Sequence, residues 1–306
     1  MTAAQRYAFL GPEGTFTEAA LRQVITDDDQ AVAAGSVMSA LSMVRRGEVD
    51  AAVVPIENSV EGGVSATLDS IAAGSLQIYR EVLVPITFVL VSPDARELSA
   101  IQEVTTHSHA WAQVRGWAEE TIPHAEFVPA GSTAAGARAL HPGQAGVCAP
   151  HLAQELGLHV LASAIEDTPG AVTRFVVVSG PGSPGKPTGS DKTTLVVPLP
   201  QDRPGALMQI LEQFSARGIN LSRIESRPTG AGLGQYFFSI DLEGHLADQR
   251  VGASLAALYR MFPQITFLGS YPRADRRHYQ IDEHFSGEAY QRGQAWVRQL
   301  LAPDAQ

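Results

Sequence analysis

A threonine and an arginine lie side by side where a polar loop enters an apolar run of the sequence. Thr173 and Arg174 follow the acidic loop 166–170 and precede residues 175–178, which are one phenylalanine and three valines. Such a run predicts a buried strand, so both polar side chains are expected at the edge of a sheet. There the hydroxyl could donate a hydrogen bond to a ligand and the guanidinium could bind a carboxylate. A capped strand start beside a solvated arginine would account for the same residues.

Hydroxyl and amide side chains also recur where predicted strands give way to helices. The positions are Thr15, Thr17, Asn58, Ser59, Thr106, Ser108, Ser132 and Thr133. Helix N-termini carry unpaired N–H groups and a partial positive charge, and the carboxyl ends of parallel strands meet at one edge of a sheet. If these positions share that edge, they form a cleft rich in donors with little fixed charge. Arg174 would add one cation, and the predicted ligand is a small anion such as a carboxylate.

The elements that must position these side chains follow a repeating order. Through roughly the first 180 residues, strand, short polar loop and helix alternate, which predicts an α/β domain with a largely parallel sheet. The apolar run 82–91 is long enough to cross between two lobes as one strand. Residues 180–190 have the composition of a linker. The order after the linker is β-α-β-β-α-β, which predicts a ferredoxin-like module, and residues 273–306 predict a final helix.

Composition narrows the functional class. The chain has 306 residues and a formal net charge of −10, without the basic block of a nucleic-acid surface. Its single cysteine, Cys148, excludes an internal disulfide and fits a reducing compartment. No leader-like segment opens the chain, and no apolar run is long enough to span a bilayer. These features predict a soluble, cytoplasmic protein. His107 and His109 lack a third ligand at metal-binding spacing, so we expect no metal site.

Several short motifs occur in an order that resembles one enzyme family, the prephenate dehydratases. The segments are 11–16, 55–62, 67–69, 132–133 and 173–175. Three further segments, 205–207, 218–221 and 225–228, resemble the regulatory ACT domain of the same enzymes. The resemblance covers about residues 6 to 272, which is nearly the whole chain.

The resemblance implies a division of the chain into four parts. Residues 6–182 would form a catalytic domain of two α/β lobes, similar to periplasmic binding proteins, and residues 183–192 a linker. Residues 193–272 would form the ferredoxin-like, α+β ACT domain, and residues 273–306 a C-terminal tail. Because the chain starts at the first dehydratase strand, it looks like the monofunctional form, without the chorismate mutase domain of some relatives.

The family's reaction removes carbon dioxide and water from prephenate, yields phenylpyruvate for phenylalanine biosynthesis, and needs neither a redox cofactor nor a metal. By resemblance Thr173 is the essential hydroxyl, which we expect to donate a hydrogen bond to the leaving oxygen, and Arg174 binds a substrate carboxylate. Glu57 either supplies a proton, if burial raises its pKa, or is structural. Phe175 is either a wall of the site or part of the core. The other substrate-binding candidates are Thr15, Asn58, Ser59, Thr106, His107, Ser132 and Thr133.

The ACT resemblance implies that phenylalanine is a feedback inhibitor, bound between the modules of two neighbouring subunits. Such a shared site requires a homodimer or a homotetramer. The matching positions are Gly205, Ala206, Leu207, Asn220, Leu221, Glu225, Ser226, Arg227 and Pro228. An ordinary turn at Gly205 and a surface pair of Glu225 with Arg227 would explain the same residues without an effector.

Three other functions stay compatible with parts of the sequence. An arogenate dehydratase would carry out the same chemistry on a substrate with an amine in place of the keto group. A non-catalytic protein that binds small anions would share the two-lobed plan, although the attached ACT-like module argues against it. A purely regulatory protein would leave the first 180 residues without a use.

Overall fold

The computed structural model describes residues 4–73, 75–199, 203–229 and 235–301. Its contacts divide the chain into two compact units, one formed by Met1–Ser70 with Val82–Val178 and the other by Ile71–Glu81 with Ser179–Gln306. Within the described ranges, no helix is long and apolar enough to cross a membrane. The four-part division drawn from the resemblance assigns residues 71–81 differently and stays a prediction.

Short strands and helices alternate along the chain as far as Ser179. The strands are β1 (Arg6–Leu10), β2 (Gln30–Ala34), β3 (Ala51–Asn58), β4 (Gly62–Gly63), β5 (Gln77–Pro85), β6 (Val89–Ser92), β7 (Glu103–Thr106), β8 (Glu126–Pro129), β9 (Ala145–Cys148), β10 (His159–Ser163) and β11 (Val172–Ser179). The helices are α1 (Phe16–Leu21), α2 (Val37–Arg45), α3 (Ser65–Ala72), α4 (Ser108–Thr121), α5 (Thr133–Arg138) and α6 (Pro150–Glu155), with a 3₁₀ turn at Leu98–Ala100.

The first sheet has the strand order β2-β1-β3-β11-β5, with β4 paired to β3. Strand β1 runs parallel to both β2 and β3, and its Phe9 packs in one core with Leu21, Val53 and Val177. The sequence did not predict β2. Its residues are rich in alanine and mostly exposed at the sheet edge, so they lack the alternation of a half-buried strand.

The second sheet has the order β10-β6-β9-β7-β8 and is mixed. Strand β7 runs parallel to β8 and β9, whereas β6 runs antiparallel to β9 and β10. The expectation of one largely parallel sheet is therefore wrong. Antiparallel β6 enters this sheet directly from the first one, without the crossover helix that a parallel connection needs.

The apolar run 82–91 forms two strands rather than one, and they belong to different sheets. Strand β5 ends at Pro85 in the first sheet, and β6 begins at Val89 in the second. Between them, the Ile86 N–H donates to the Ala171 carbonyl oxygen at 2.8 Å, and the Phe88 N–H donates to Glu166 Oε2 at 3.0 Å. These bonds replace ladder pairing, so the predicted crossing between two lobes occurs through a short irregular segment.

The second unit contains an antiparallel sheet whose hydrophobic core includes residues of two helices. Its further elements are β12 (Asp191–Leu199), α7 (Ala206–Ser215), β13 (Leu221–Pro228), β14 (Tyr236–Glu243), α8 (Gln249–Met261), β15 (Thr266–Pro272) and α9 (Gly287–Leu301), with a 3₁₀ turn at Glu283–Phe285. The strand order is β13-β14-β12-β15, and the core includes Leu195, Ile240, Phe214 and Leu258. The predicted β-α-β-β-α-β module is confirmed, and α9 is the expected final helix.

Candidate active site

A cavity of about 420 Å³ lies where the loops of the two sheets of the first unit meet. It is lined by Leu10, Gly11, Thr15, Phe16, Thr17, Gly35, Pro55, Asn58, Ile86, Phe88, His107, His109, Ala110, Gln113, Gly131, Ser132, Thr133 and Thr173. The loops after β1, β2, β7 and β8, the last residues of β3 and the start of β11 contribute to this wall. The predicted hydroxyl and amide positions therefore converge, although they come from two sheets and not from one sheet edge.

The Thr173 hydroxyl is held by the amide of Asn58, the last residue of the neighbouring strand β3. Asn58 Nδ2 donates to Thr173 Oγ1 at 2.9 Å, and Asn58 Oδ1 accepts from the N–H groups of Val60 and Glu61 at 2.7 and 3.1 Å. The two N–H groups require oxygen at Oδ1, so they fix the orientation of the amide. Thr173 Oγ1 therefore acts as an acceptor toward Asn58, and its own proton is left to donate to a ligand.

Ser59 ties the loop after β3 to the first residue of β11. Its Oγ accepts from the Val172 N–H at 2.9 Å, and its backbone N–H donates to the Val172 carbonyl oxygen at 2.9 Å. Ser59 is exposed and does not line the cavity. Its geometry supports the position of the neighbouring Thr173, and direct contact with a substrate stays a prediction.

Arg174 and Glu57 form an ion pair away from the cavity lining. Successive residues of a strand point to opposite faces, so Arg174 faces away from the side occupied by Thr173. Its side chain is 6% exposed, and Nη1 lies 3.4 Å from Glu57 Oε2. Phe175, the next residue, belongs to the hydrophobic core of the first unit. The roles predicted for Arg174 as a carboxylate ligand and for Glu57 as a proton donor stay predictions.

Several hydroxyls near the cavity are used by the backbone around them. Thr106 Oγ1 is buried and donates to the Val147 carbonyl oxygen at 2.8 Å, and Thr106 does not line the cavity. Thr15 and Ser132 cap helices α1 and α5, where their oxygens accept from the N–H groups of Glu18 and Ala135. Capping uses both oxygens as acceptors, and the Thr15 hydroxyl also donates to the Leu10 carbonyl oxygen at 3.3 Å.

Two histidines at the start of α4, His107 and His109, line the same cavity. His107 Nδ1 accepts from the backbone N–H of His109 at 3.2 Å, which leaves Nε2 as its protonated nitrogen. Burial, and then the charge of His109, lower the pKa of His107 below its ordinary value. His107 therefore presents a neutral N–H donor to the cavity.

Two residues of α4, His109 and Gln113, line the cavity although the sequence indicated neither as a substrate-binding residue. His109 and Gln113 are four residues apart, and both reach the Glu61 carboxylate, at 2.9 and 3.0 Å. The helical spacing of these two residues is the signal that would have placed them on one face. Phe16 and Phe88 add an apolar wall, with their rings edge to face at 5.6 Å.

The lining of the cavity carries little formal charge. Among the residues that the structure describes, no lysine, arginine, aspartate or glutamate lines it. The same part of the chain holds no group of three or more His, Cys, Asp or Glu placed to bind a metal ion. Cys148 is buried, and burial raises the pKa of its thiol to about 12, so it is not a thiolate nucleophile.

A second, smaller cavity of about 190 Å³ lies at the start of α7 in the second unit. Its lining comprises Leu199, Arg203, Gly205, Ala206, Leu207, Met208, Tyr236 and Phe238. Gly205 precedes the helix with φ +80°, a left-handed conformation that favours glycine. Three of the predicted effector positions, Gly205 to Leu207, thus line a cavity.

The other predicted effector positions lie outside the lining of that cavity. Asn220 and the strand residues Leu221, Glu225, Ser226, Arg227 and Pro228 lie at or in β13. Because β13 is an edge strand of its sheet, these residues are placed where another chain could approach. Glu225 pairs with Arg223 at 3.4 Å within the same strand.

The family models and the sequence relatives indicate one family. The model of the prephenate dehydratase family matches residues 7–182, and the model of the ACT domain matches residues 193–258. A prephenate dehydratase of Amycolatopsis methanolica is 43% identical over 296 residues, covering 95% of this chain and 96% of the relative. A structure of prephenate dehydratase from Arthrobacter aurescens in complex with L-Phe is 57% identical, with a TM-score of 0.91 over 97% of this chain and 99% of that one. A Staphylococcus aureus prephenate dehydratase is 25% identical, with a TM-score of 0.76 over 87% and 99%.

Proposed function

Because this chain belongs to the prephenate dehydratase family, whose members are carbon–oxygen lyases, we propose that it converts prephenate to phenylpyruvate and is inhibited by phenylalanine. The observation that carries the catalytic part is the Thr173 hydroxyl, whose oxygen is held by Asn58 and whose proton is left for a ligand. It stands in a cavity whose lining combines apolar side chains with neutral polar groups and carries no Lys, Arg, Asp or Glu among the described residues.

The reaction requires stabilisation of the negative charge that develops on one leaving oxygen. As the ring carboxylate leaves as carbon dioxide, the electrons of its bond to the ring shift through the ring, and the bond to the ring hydroxyl breaks. The oxygen gains negative charge and departs as hydroxide unless it is protonated. A threonine hydroxyl is a weak acid, so Thr173 stabilises that charge by a hydrogen bond that strengthens in the transition state.

The cavity suits a small ring that carries anionic groups. Its volume lies within the usual range for small-molecule sites. The aromatic pair of Phe16 and Phe88 provides a wall for the ring of the substrate. The neutral His107 and the start of the fourteen-residue helix α4 provide N–H donors for carboxylate oxygens.

The low charge of the lining favours prephenate over arogenate. The two substrates differ by a keto group and an ammonium group, and a buried ammonium needs an acidic partner. No acidic side chain lines the cavity in the described part of the chain, and the Glu61 carboxylate at its rim is engaged by His109 and Gln113. We therefore expect the keto substrate to be processed faster.

The experiment is to supply purified protein with prephenate and with arogenate separately and to measure the aromatic product of each. The proposal predicts phenylpyruvate from prephenate and a kcat/KM at least tenfold lower for arogenate. Faster turnover of arogenate would reverse the assignment. Binding without any aromatic product would leave the protein as a non-catalytic anion-binding protein.

For the regulatory part, the small cavity at the start of α7 is the proposed site of phenylalanine. The support is its position at Gly205, Ala206 and Leu207, together with the L-Phe complex of the Arthrobacter aurescens relative. Tyr236 and Phe238 offer an aromatic surface to the effector ring. A homodimer or homotetramer in which edge strands β13 complete the site would bring in the remaining predicted residues, and light scattering with and without phenylalanine tests that state.

A further inference from the structure

The Glu61 carboxylate joins the turn between β3 and β4 to helix α4 at the rim of the catalytic cavity. Oε2 lies 2.9 Å from Nδ1 of His109, and Oε1 accepts from Nε2 of Gln113 at 3.0 Å. The backbone N–H of Glu61 donates to the Asn58 oxygen at 3.1 Å. Asn58, whose amide donates to Thr173, therefore accepts a hydrogen bond from Glu61, the residue that also holds His109.

One ring nitrogen of His109 contacts the Glu61 carboxylate, and the other does not. Since Nδ1 contacts the Glu61 carboxylate, it is the nitrogen that carries the proton in that bond. Nε2 makes no hydrogen bond to any residue that the structure describes. A carboxylate bonded to Nδ1 in this way fixes the orientation of the imidazole ring and so directs Nε2 away from Glu61.

His109 is also the side chain at the cavity that can compensate the negative charge of a dianionic substrate. The described lining contains no lysine and no arginine, and His107 is held as a neutral donor. The guanidinium of Arg174 lies toward Glu57 and outside the lining. His109 is the second residue of α4, so the partial positive charge of the helix start adds to its attraction for an anion.

We propose that His109, held by Glu61, binds a carboxylate group of the substrate through Nε2–H, and that Glu61 is its positioning residue. The proposal rests on the proposed function for the identity of the ligand as a dicarboxylate. An exposed ion pair without a ligand would contribute little to stability, and its removal would leave substrate binding unchanged. The two possibilities therefore differ in a measurable constant.

The experiment compares His109→Gln, His109→Lys and Glu61→Gln with a control variant. Arg115→Gln is the matched control, because it removes a cation and an exposed pair with Glu119 from the same helix without touching the cavity lining. Steady-state kinetics with prephenate give kcat and KM, and calorimetry gives the dissociation constant of prephenate in a Thr173→Ala background. Thermal unfolding of each variant detects loss of structure.

We expect His109→Gln to raise KM and the dissociation constant about tenfold or more, with kcat changed less than about threefold, because one charge-assisted hydrogen bond is lost. His109→Lys should recover part of the affinity, Glu61→Gln should raise KM by a smaller factor, and Arg115→Gln should match the wild type. An unchanged KM in His109→Gln, or equal losses in His109→Gln and His109→Lys, would overturn the proposal.

The outcomes also separate this proposal from the dehydratase activity. A wild type that binds prephenate without forming phenylpyruvate, and loses binding in His109→Gln, would overturn the activity and support the carboxylate site. Normal turnover with unaltered His109→Gln kinetics would overturn the site alone. A wild type that neither binds nor converts prephenate would overturn both.

Discussion

Thr173 differs from Thr106, the buried threonine at the end of β7, in the direction of its hydrogen bond. Its oxygen accepts from Asn58, whereas the Thr106 hydroxyl donates to a carbonyl oxygen of the sheet and has no proton left. Residue type alone does not separate these two threonines, because each follows or begins a buried strand. The partner decides which of them can act on a ligand.

Removal of the Thr173 hydroxyl should affect the chemical step more than binding. We expect Thr173→Ala to lower kcat by about 10²–10⁴-fold while KM changes by less than about threefold, since the hydrogen bond strengthens as the oxygen leaves. Thr173→Ser keeps the hydroxyl and should retain most of the activity. Near-normal kcat in Thr173→Ala would show that the leaving oxygen is stabilised by another group.

An isosteric change at Asn58 tests the direction of that hydrogen bond. In Asn58→Asp the carboxylate can still accept from the N–H groups of Val60 and Glu61, but it has no amide proton for Thr173. The threonine proton should then turn toward the carboxylate and away from the substrate. We expect kcat to fall about 10²-fold with the unfolding midpoint nearly unchanged, as measured by kinetics and thermal unfolding. An active Asn58→Asp enzyme would argue against this orientation.

At the scale of elements, the interruption between β5 and β6 shapes the cavity proposed as the active site. The apolar run 82–91 would have formed one strand if only its composition mattered, but its backbone groups at Ile86 and Phe88 bond to the segment 166–171. Both residues consequently line the cavity, and the same segment leads directly into Thr173. The cavity residues Ile86 and Phe88 and the strand that carries Thr173 are thus linked by hydrogen bonds to one segment, 166–171.

A close backbone approach constrains β15 in the second unit. Gly269 has φ +138°, and a Cβ atom there would lie 2.2 Å from the Ile78 carbonyl oxygen. We expect Gly269→Ala to lower the free energy of unfolding by at least about 2 kcal/mol, because neither the backbone conformation nor the contact tolerates a side chain. Gly293→Ala is the matched control. That glycine lies inside α9 with open space around it, so the change should be neutral or stabilising in urea unfolding.

The end of β15 contributes a pH-dependent ion pair. Arg273 donates to both oxygens of Asp275, at 2.9 and 2.8 Å, and this hydrogen bonding lowers the pKa of Asp275 to about 2. A lowered carboxyl pKa stabilises the fold fully above its ordinary value of 3.8, and that share is lost as the pH falls toward about 2.

The variant Arg273→Gln should reveal this share of stability. We expect it to be less stable than the wild type by about 1 kcal/mol near neutral pH, because solvent screens a pair whose carboxylate is 33% exposed, and the difference should shrink between about pH 4 and pH 2. Thermal unfolding of both proteins across that range measures the change. A difference that stays constant with pH would assign the effect to lost packing of the arginine stem.

At the scale of the whole molecule, each unit has a hydrophobic core of its own and a cavity of its own. If phenylalanine inhibits, it must prefer a state that binds prephenate less well, and the linkage is reciprocal. Saturating prephenate should therefore weaken phenylalanine binding by the same factor by which phenylalanine weakens prephenate binding. Calorimetric titrations of the Thr173→Ala enzyme with each ligand, alone and in the presence of the other, measure both factors. Independent binding would contradict allosteric inhibition.

The sequence by itself determined the features that depend on neighbours along the chain. The capped starts of α1 and α5, the β-α-β-β-α-β order and the glycine before α7 follow from local spacing and backbone preference. The order of the short motifs also indicated the resemblance to the prephenate dehydratase family. Edge strand β2 and the broken run 82–91 were not predicted, because exposure and backbone pairing are not visible in apolar content.

Only the tertiary structure decided which polar groups meet. Asn58 and Thr173 are 115 residues apart, as the strand order β3-β11 brings them together. Strand alternation placed Arg174 toward Glu57 while its neighbour Thr173 faces the cavity, and the turn after β3 brought Glu61 to His109. Such contacts depend on distances between remote segments, which spacing along the chain does not encode. The chemistry could therefore be predicted as a class from residue types, but the partner of each group is a property of the fold.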